Sequence, residues 1–199
     1  VDMFTEIIPE FMKSHPRFSV KMFERTVEQQ HQMILSDHLD LGFVLLQEKD
    51  RIDANYLTIC HEEMLLAIPR SHPLAELAAP AGQPLNYISL SLFQEELFSL
   101  LFKGSTMRSI IDQQFETAGF EPNLLFETSM NQVLQKMVAK GLCCAIFPQS
   151  YAHTTEDVAC FRLQGNPGWD WCLVYPKGIR PGTACSDLIH LAQQYGHEK

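Results

Sequence analysis

The sequence predicts an α/β fold built as two similar halves, and three observations carry that prediction. Residues 126–148, FETSMNQVLQKMVAKGLCCAIFP, read as a strand, a helix and a returning strand. Ser129 and Gln132 have the S-x-x-Q spacing of a capping box, Val133, Leu134, Met137 and Val138 share one helical face, and Gly141 suits the left-handed end of a helix. The apolar run LCCAIF then fits a strand covered on both faces. Secondly, both halves of the chain repeat the order strand, capped helix, strand, capped helix, strand. Thirdly, residues 71–86, SHPLAELAAPAGQPLN, are rich in proline, alanine and glycine and read as a crossover between two compact units.

Taken in order, residues 3–14 place Met3, Phe4, Ile7, Ile8 and Phe11 on one side of a helix that His15-Pro16 stops. Residues 18–24 alternate as a strand does, and Thr26 with Gln29 forms a second capping box opening a helix through Val27, His31, Ile34 and Leu35. LDLGFVLL, residues 39–46, is an apolar strand. Residues 56–69 predict two further strands, with the polar triplet His61-Glu62-Glu63 as the turn or solvated end between them. After the crossover come a short helical piece at SLFQ, a strand at residues 96–102, and a helix that Ser105 or Thr106 caps and Gly119 ends, with Met107, Ile110, Ile111 and Phe115 inward. Strands follow at residues 124–127, 158–163 and 169–178, and SDLIHLAQQY closed by Gly196 reads as the last helix.

Composition narrows the function. The 199 residues are 46% apolar, enough for real cores, and 15 Lys and Arg against 24 Asp and Glu give a net charge near −9. Such a surface lacks the basic field that phosphate backbones require, so the chain alone should not bind duplex DNA. No run approaches the length of a membrane span, and the first residues lack the basic start of a signal peptide. The six cysteines show neither a CxxC pair nor a disulfide framework and read as reduced core residues of a cytoplasmic protein, including the tandem Cys143-Cys144. The scattered histidines form no HExxH, so no metal and no cofactor is expected. No nucleophile with its base appears either, and KGST at 103–106 misses the phosphate-loop spacing, so the chain does not read as an enzyme.

Leu39-Asp40-Leu41, His72-Pro73-Leu74-Ala75, Ser129, Gly141-Leu142 and Pro148 stand in an order and at intervals that resemble the effector-binding domain of LysR-type transcriptional regulators. The resemblance spans nearly the whole chain, and its specificity lies in the ordered set. Two departures stand out. The family's first strand and the polar loop before its first helix have no counterpart, and Cys143 occupies a position where the family usually has glycine. The resemblance implies two Rossmann-like subdomains joined by two crossovers, similar to type 2 periplasmic binding proteins, with residues 1–74 and 165–199 in one and 75–164 in the other. It further implies a small effector held in the cleft between them, a DNA-binding helix-turn-helix ahead of this segment, and a homodimer or tetramer. Residues 18–23 and 123–127 would serve as edge strands for that pairing, with the helices at 3–14 and 106–117 alongside.

The physical reading of the residues points to the same site. Ligands in open α/β sheets sit at the carboxyl ends of strands, where a helix start offers unpaired N–H groups and a positive dipole. The expected effector-binding residues are Ser105, Thr106, Thr128 and Ser129 at two helix starts, with Leu46, Gln47 and Pro148 at strand ends. As ordinary caps, these hydroxyls contribute about 1 kcal/mol each; as a pair in one subdomain, they suit a ligand carboxylate. The expected function is sensing of a small-molecule co-inducer for a transcriptional regulator. The competing reading is the solute receptor of a transport system with the same architecture.

Overall fold

The computed structural model describes residues 2–80, 82–152, 155–178 and 183–197, with the backbone alone at 2, 106, 183 and 197. Its α-helices are α1 (Asp2–Ser14), α2 (Val27–Leu35), α3 (Thr106–Ala118), α4 (Asn131–Ala139) and α5 (Thr183–His197). Its strands are β1 (Gly42–Leu46), β2 (Asn55–Pro69), β3 (Tyr87–Ile88), β4 (Leu97–Leu101), β5 (Asn123–Thr128), β6 (Cys144–Pro148), β7 (Val158–Leu163) and β8 (Gly168–Tyr175). The chain forms two compact units, one comprising the residues up to His61 and from Trp169 onward, the other Glu62–Gly168. It passes between them inside β2 and at the start of β8, and the proline-rich stretch 71–86 lies within the second unit.

In the first unit β8 lies between β1 and β2, antiparallel to β1 with Gly42 opposite Val174 and Leu46 opposite Asp170. Alternation along β1 and β8 separates two cores. Val44, Leu46, Cys172 and Val174 meet Ile34 of α2, while Leu173 meets Met3 and Ile7 of α1 and Ala192 of α5. The capping box that opens α2 is complete: Gln29 N donates to Thr26 Oγ1 at 3.2 Å, and Thr26 N donates to Gln29 Oε1 at 3.2 Å. Gly196 does not terminate α5, which runs on to His197. A Cβ there would stand 2.6 Å from the Ile59 carbonyl oxygen, so this glycine permits close packing of the helix on β2.

Residues 18–24 form no strand. Alternation is not enough, because a strand is stable only when a neighbour takes its backbone N–H and C=O groups. No described segment pairs with these residues, and Phe18, Met22 and Phe23 are each more than half exposed. The second correction is β2, which is one strand of 15 residues instead of two. The triplet inside it causes no turn because its side chains find partners without leaving the strand: His61 Nδ1 bonds Asp170 Oδ1 at 2.9 Å, Glu62 Oε1 accepts from Ser150 N at 3.1 Å, and Glu63 pairs with Arg162.

In the second unit β4 runs parallel to both β6 and β5, and β2 runs antiparallel to β6 and β7. The short β3 pairs parallel with β7. Leu134 and Val138 of α4 pack with Ala67, Leu101, Ala145, Phe147 and Cys160, and the Phe115 ring of α3 lies edge-on to Phe98, 5.0 Å between centroids. Gly119, at φ +82°, ends α3 as the sequence predicts. β5 pairs only with β4 among the described strands and leaves Leu124, Leu125 and Phe126 exposed.

Candidate functional site

Because β4 and β5 are parallel, α3 and α4 begin at the same end of the second unit's sheet. Leu101 lies opposite Thr128, and Phe102 N donates to the Thr128 carbonyl at 3.1 Å, so the chain leaves both strands side by side. Ser105 caps α3 as expected, its Oγ accepting from Arg108 N at 3.1 Å and donating to the Phe102 carbonyl at 3.3 Å. Thr106 opens the helix, and its side chain lies outside the described residues. Pro148 ends β6, which is parallel to β4, and so belongs to the same end of the sheet.

Ser129 is not the cap of α4. The N-cap is Met130, which supplies no side-chain bond, and Ser129 stands one residue earlier with its side chain exposed. Thr128 accounts for the shift: its Oγ1 accepts the Met130 N–H at 3.2 Å, closing a turn that delays the helix by one residue. The N–H groups of Asn131 and Gln132 take no acceptor among the described residues, so α4 opens without the capping that α2 and α3 possess.

Asn131 is the residue that sequence reasoning missed. It is the first residue of α4, only 7% exposed, and its Oδ1 is buried without a hydrogen-bond partner. Leaving a buried amide oxygen unpaired costs about 1–3 kcal/mol. The signal available beforehand was a short polar residue on the side of the helix that also carries Leu134 and Val138.

Arg108, among the largest wholly buried side chains, anchors the first turn of α3. Its Nε donates to Asp112 Oδ1 at 2.7 Å, and its Nη1 donates to the Leu101 carbonyl and to Glu127 of β5. Burial opposes its charge, but the bonds to Glu127 and Asp112 outweigh that and raise its pKa above the ordinary value. One guanidinium against two carboxylates leaves no spare positive charge for a ligand. Arg108 therefore fixes the scaffold at the start of α3.

Leu46 and Gln47 belong to the first unit. Leu46 is buried at the end of β1, and the Gln47 carbonyl accepts from Asp50 N at 3.0 Å to start a 3-10 turn over Glu48–Asp50. The same unit holds a polar network in which Arg51 Nη2 donates to Asp170 Oδ2 and to Thr58 Oγ1, both at 3.0 Å, while Asp170 Oδ1 is taken by His61. Among the described residues no group of three His, Cys, Asp or Glu could hold a metal ion, and no helix is long and apolar enough to cross a membrane.

A family described as LysR substrate binding domain matches residues 2–196. The HTH-type transcriptional regulator YybE of Bacillus subtilis is 29% identical over 147 residues, covering 72% of this chain and 46% of its own length. The regulatory domain of CcmR from Synechocystis PCC6803, in complex with 2-PG, superposes with a TM-score of 0.71 at 18% identity over 98% of this chain and 91% of its own. The BenM effector binding domain with benzoate gives a TM-score of 0.72 at 18% identity, over 98% and 87%. The fold is thus similar to that of LysR effector-binding domains, and the chain spans about half the length of the curated relatives it matches.

Proposed function

The chain belongs to the LysR substrate binding domain family, and from that premise we propose that it senses a small-molecule co-inducer for a bacterial transcriptional regulator, binding its effector without turning it over. The observation that carries the location is the uncapped start of α4. A carboxylate placed there accepts the N–H groups of Asn131 and Gln132 and meets the positive end of the helix dipole. Thr128, Ser129, Ser105 and Thr106 border that point on adjacent strand ends, and Pro148 closes the third. The benzoate in the BenM domain is itself a carboxylate, which supports this choice of ligand class.

In the full-length regulator, DNA contact falls to a helix-turn-helix outside this segment, because a net charge of −9 repels phosphate. The regulator is cytoplasmic and at least dimeric, with the open, apolar edge of β5 as its pairing surface. Native mass spectrometry against a library of carboxylic acids tests the binding reading. A hit should bind Thr128→Val roughly tenfold more weakly, on the order of one charge-assisted hydrogen bond, and bind Thr26→Ala, a cap in the other unit, as well as wild type. Equal affinity in both variants would place the ligand elsewhere.

A further inference from the structure

We propose that His31, Tyr56 and Ile52 form a proton-driven switch within the first unit, in which charging of the His31 imidazole releases the turn that follows β1. The three residues come from α2, from β2 and from the stretch just after the 3-10 turn at Glu48–Asp50. Two hydrogen bonds join them: the Tyr56 hydroxyl lies 2.9 Å from His31 Nε2, and its oxygen accepts the Ile52 N–H at 3.1 Å. Among the described residues, Nε2 is the acceptor that the hydroxyl hydrogen reaches, so the neutral ring keeps its own proton on Nδ1. The buried histidine of a helix face is thereby wired to the backbone of a turn twenty residues further on.

A proton arriving from water enters at Nε2. The imidazolium is then a donor at both nitrogens, and Tyr56 must accept from Nε2–H while its own hydrogen loses its acceptor. That conflict is relieved when the phenol turns and gives up the Ile52 N–H. Electrostatics act on the same turn, because the field of Asp50 reaches His31 and an imidazolium draws that carboxylate inward. Arg51, between Asp50 and Ile52, lies over the Tyr56 ring with its Cζ 5.2 Å from the centroid and donates to Asp170 and Thr58, so it holds the turn to β8 and β2 while its neighbours move. Glu48 and Lys49 of the turn and Glu28 of α2 are exposed to solvent. Beneath α2, Val44, Leu46 and Val174 are apolar, and burial raises the pKa of both Tyr56 and Cys172, which keeps phenol and thiol neutral. Burial also lowers the pKa of His31, against the opposing field of Asp50, so the switch operates below histidine's ordinary value.

The test is proton–nitrogen NMR of the full chain titrated from about pH 8 to about pH 5, with the His31 ring followed through its Cε1–H. The Asp50, Arg51 and Ile52 amides should move with the midpoint of the His31 ring. Hydrogen-exchange protection of the Ile52 amide, corrected for the intrinsic rate at each pH, should fall about tenfold across it, as one lost hydrogen bond requires. His31→Gln should leave all three amides flat. Tyr56→Phe removes the relay but keeps the ring, so His31 should still titrate while the Ile52 amide is unprotected from the start and shows no further drop. His38→Gln changes an exposed histidine beyond the end of α2 and should titrate as wild type. Circular dichroism melts confirm that each variant is folded; if Tyr56→Phe is not, the comparison of wild type with His31→Gln decides. Amides that ignore the His31 midpoint in wild type, or that move unchanged in His31→Gln, would remove the switch. An Ile52 amide that still loses protection with the ring in Tyr56→Phe would take Tyr56 out of it.

Discussion

His31 shows how a residue on a helix face acquires a consequence from its surroundings. The sequence marks it only as part of α2, but it is buried and its Nε2 lies 2.9 Å from the Tyr56 hydroxyl, whose oxygen also accepts from Ile52 N at 3.1 Å. Burial lowers its pKa below the ordinary value and Asp50 opposes this in part. The unfolded chain therefore takes up a proton near pH 6.5 that the folded chain resists, so stability is full above about pH 6.5 and falls as pH drops below it. In urea denaturation at pH 7.5, 6 and 5, His31→Gln should show a smaller acid loss than wild type; parallel curves would mean that His31 titrates equally in both states. The cysteines illustrate what was legible at this scale. Cys143, Cys144, Cys160 and Cys172 are buried as expected of core residues, and burial raises the Cys144 thiol to about 12 and Cys160 to about 11, whereas Cys60 and Cys185 are only half-buried. Asn131 was not legible, because its significance lies in a partner that is missing.

At the scale of elements, local signals and partner-dependent signals behave differently. Thr26–Gln29, Ser105 and Gly119 act within one turn and mark their helix ends as read. The Ser129–Gln132 spacing looked equivalent, but Thr128 competed for the turn and moved the cap to Met130, which no spacing rule encodes. Residues 18–24 have the pattern of a strand without a neighbour, and residues 55–69 have a polar interruption that distant partners tolerate. Gly196 misled in the same way, since its role is set by Ile59 across the helix–strand contact. Gly196→Ala should accordingly destabilise the protein by about 1–3 kcal/mol despite the higher helix propensity of alanine. A thermal melt at or above that of wild type would show that α5 has room to shift.

For the whole molecule, the family and the α/β class were readable because an ordered set of modest motifs spans nearly all of the chain, as the match over residues 2–196 reflects. Of the two edge strands expected to serve pairing, β5 is an edge among the described strands, while residues 18–24 form no strand. Sedimentation at tens of micromolar should show a dimer, and Leu125→Lys, which puts a charge on the exposed face of β5, should shift it towards the 22.7 kDa monomer. A monomer in both, or a dimer in both, removes β5 from the interface. The division of the first unit into two stretches of chain also bears on its birth at the ribosome. Met3 and Ile7 meet Leu173 and Ala192, so that core cannot close until all of Glu62–Gly168 has been synthesised. At about 5–20 residues per second the wait is on the order of ten seconds. The second unit, made without interruption, can fold first, while the nascent α1 and β1 remain exposed to chaperones and proteases throughout that interval.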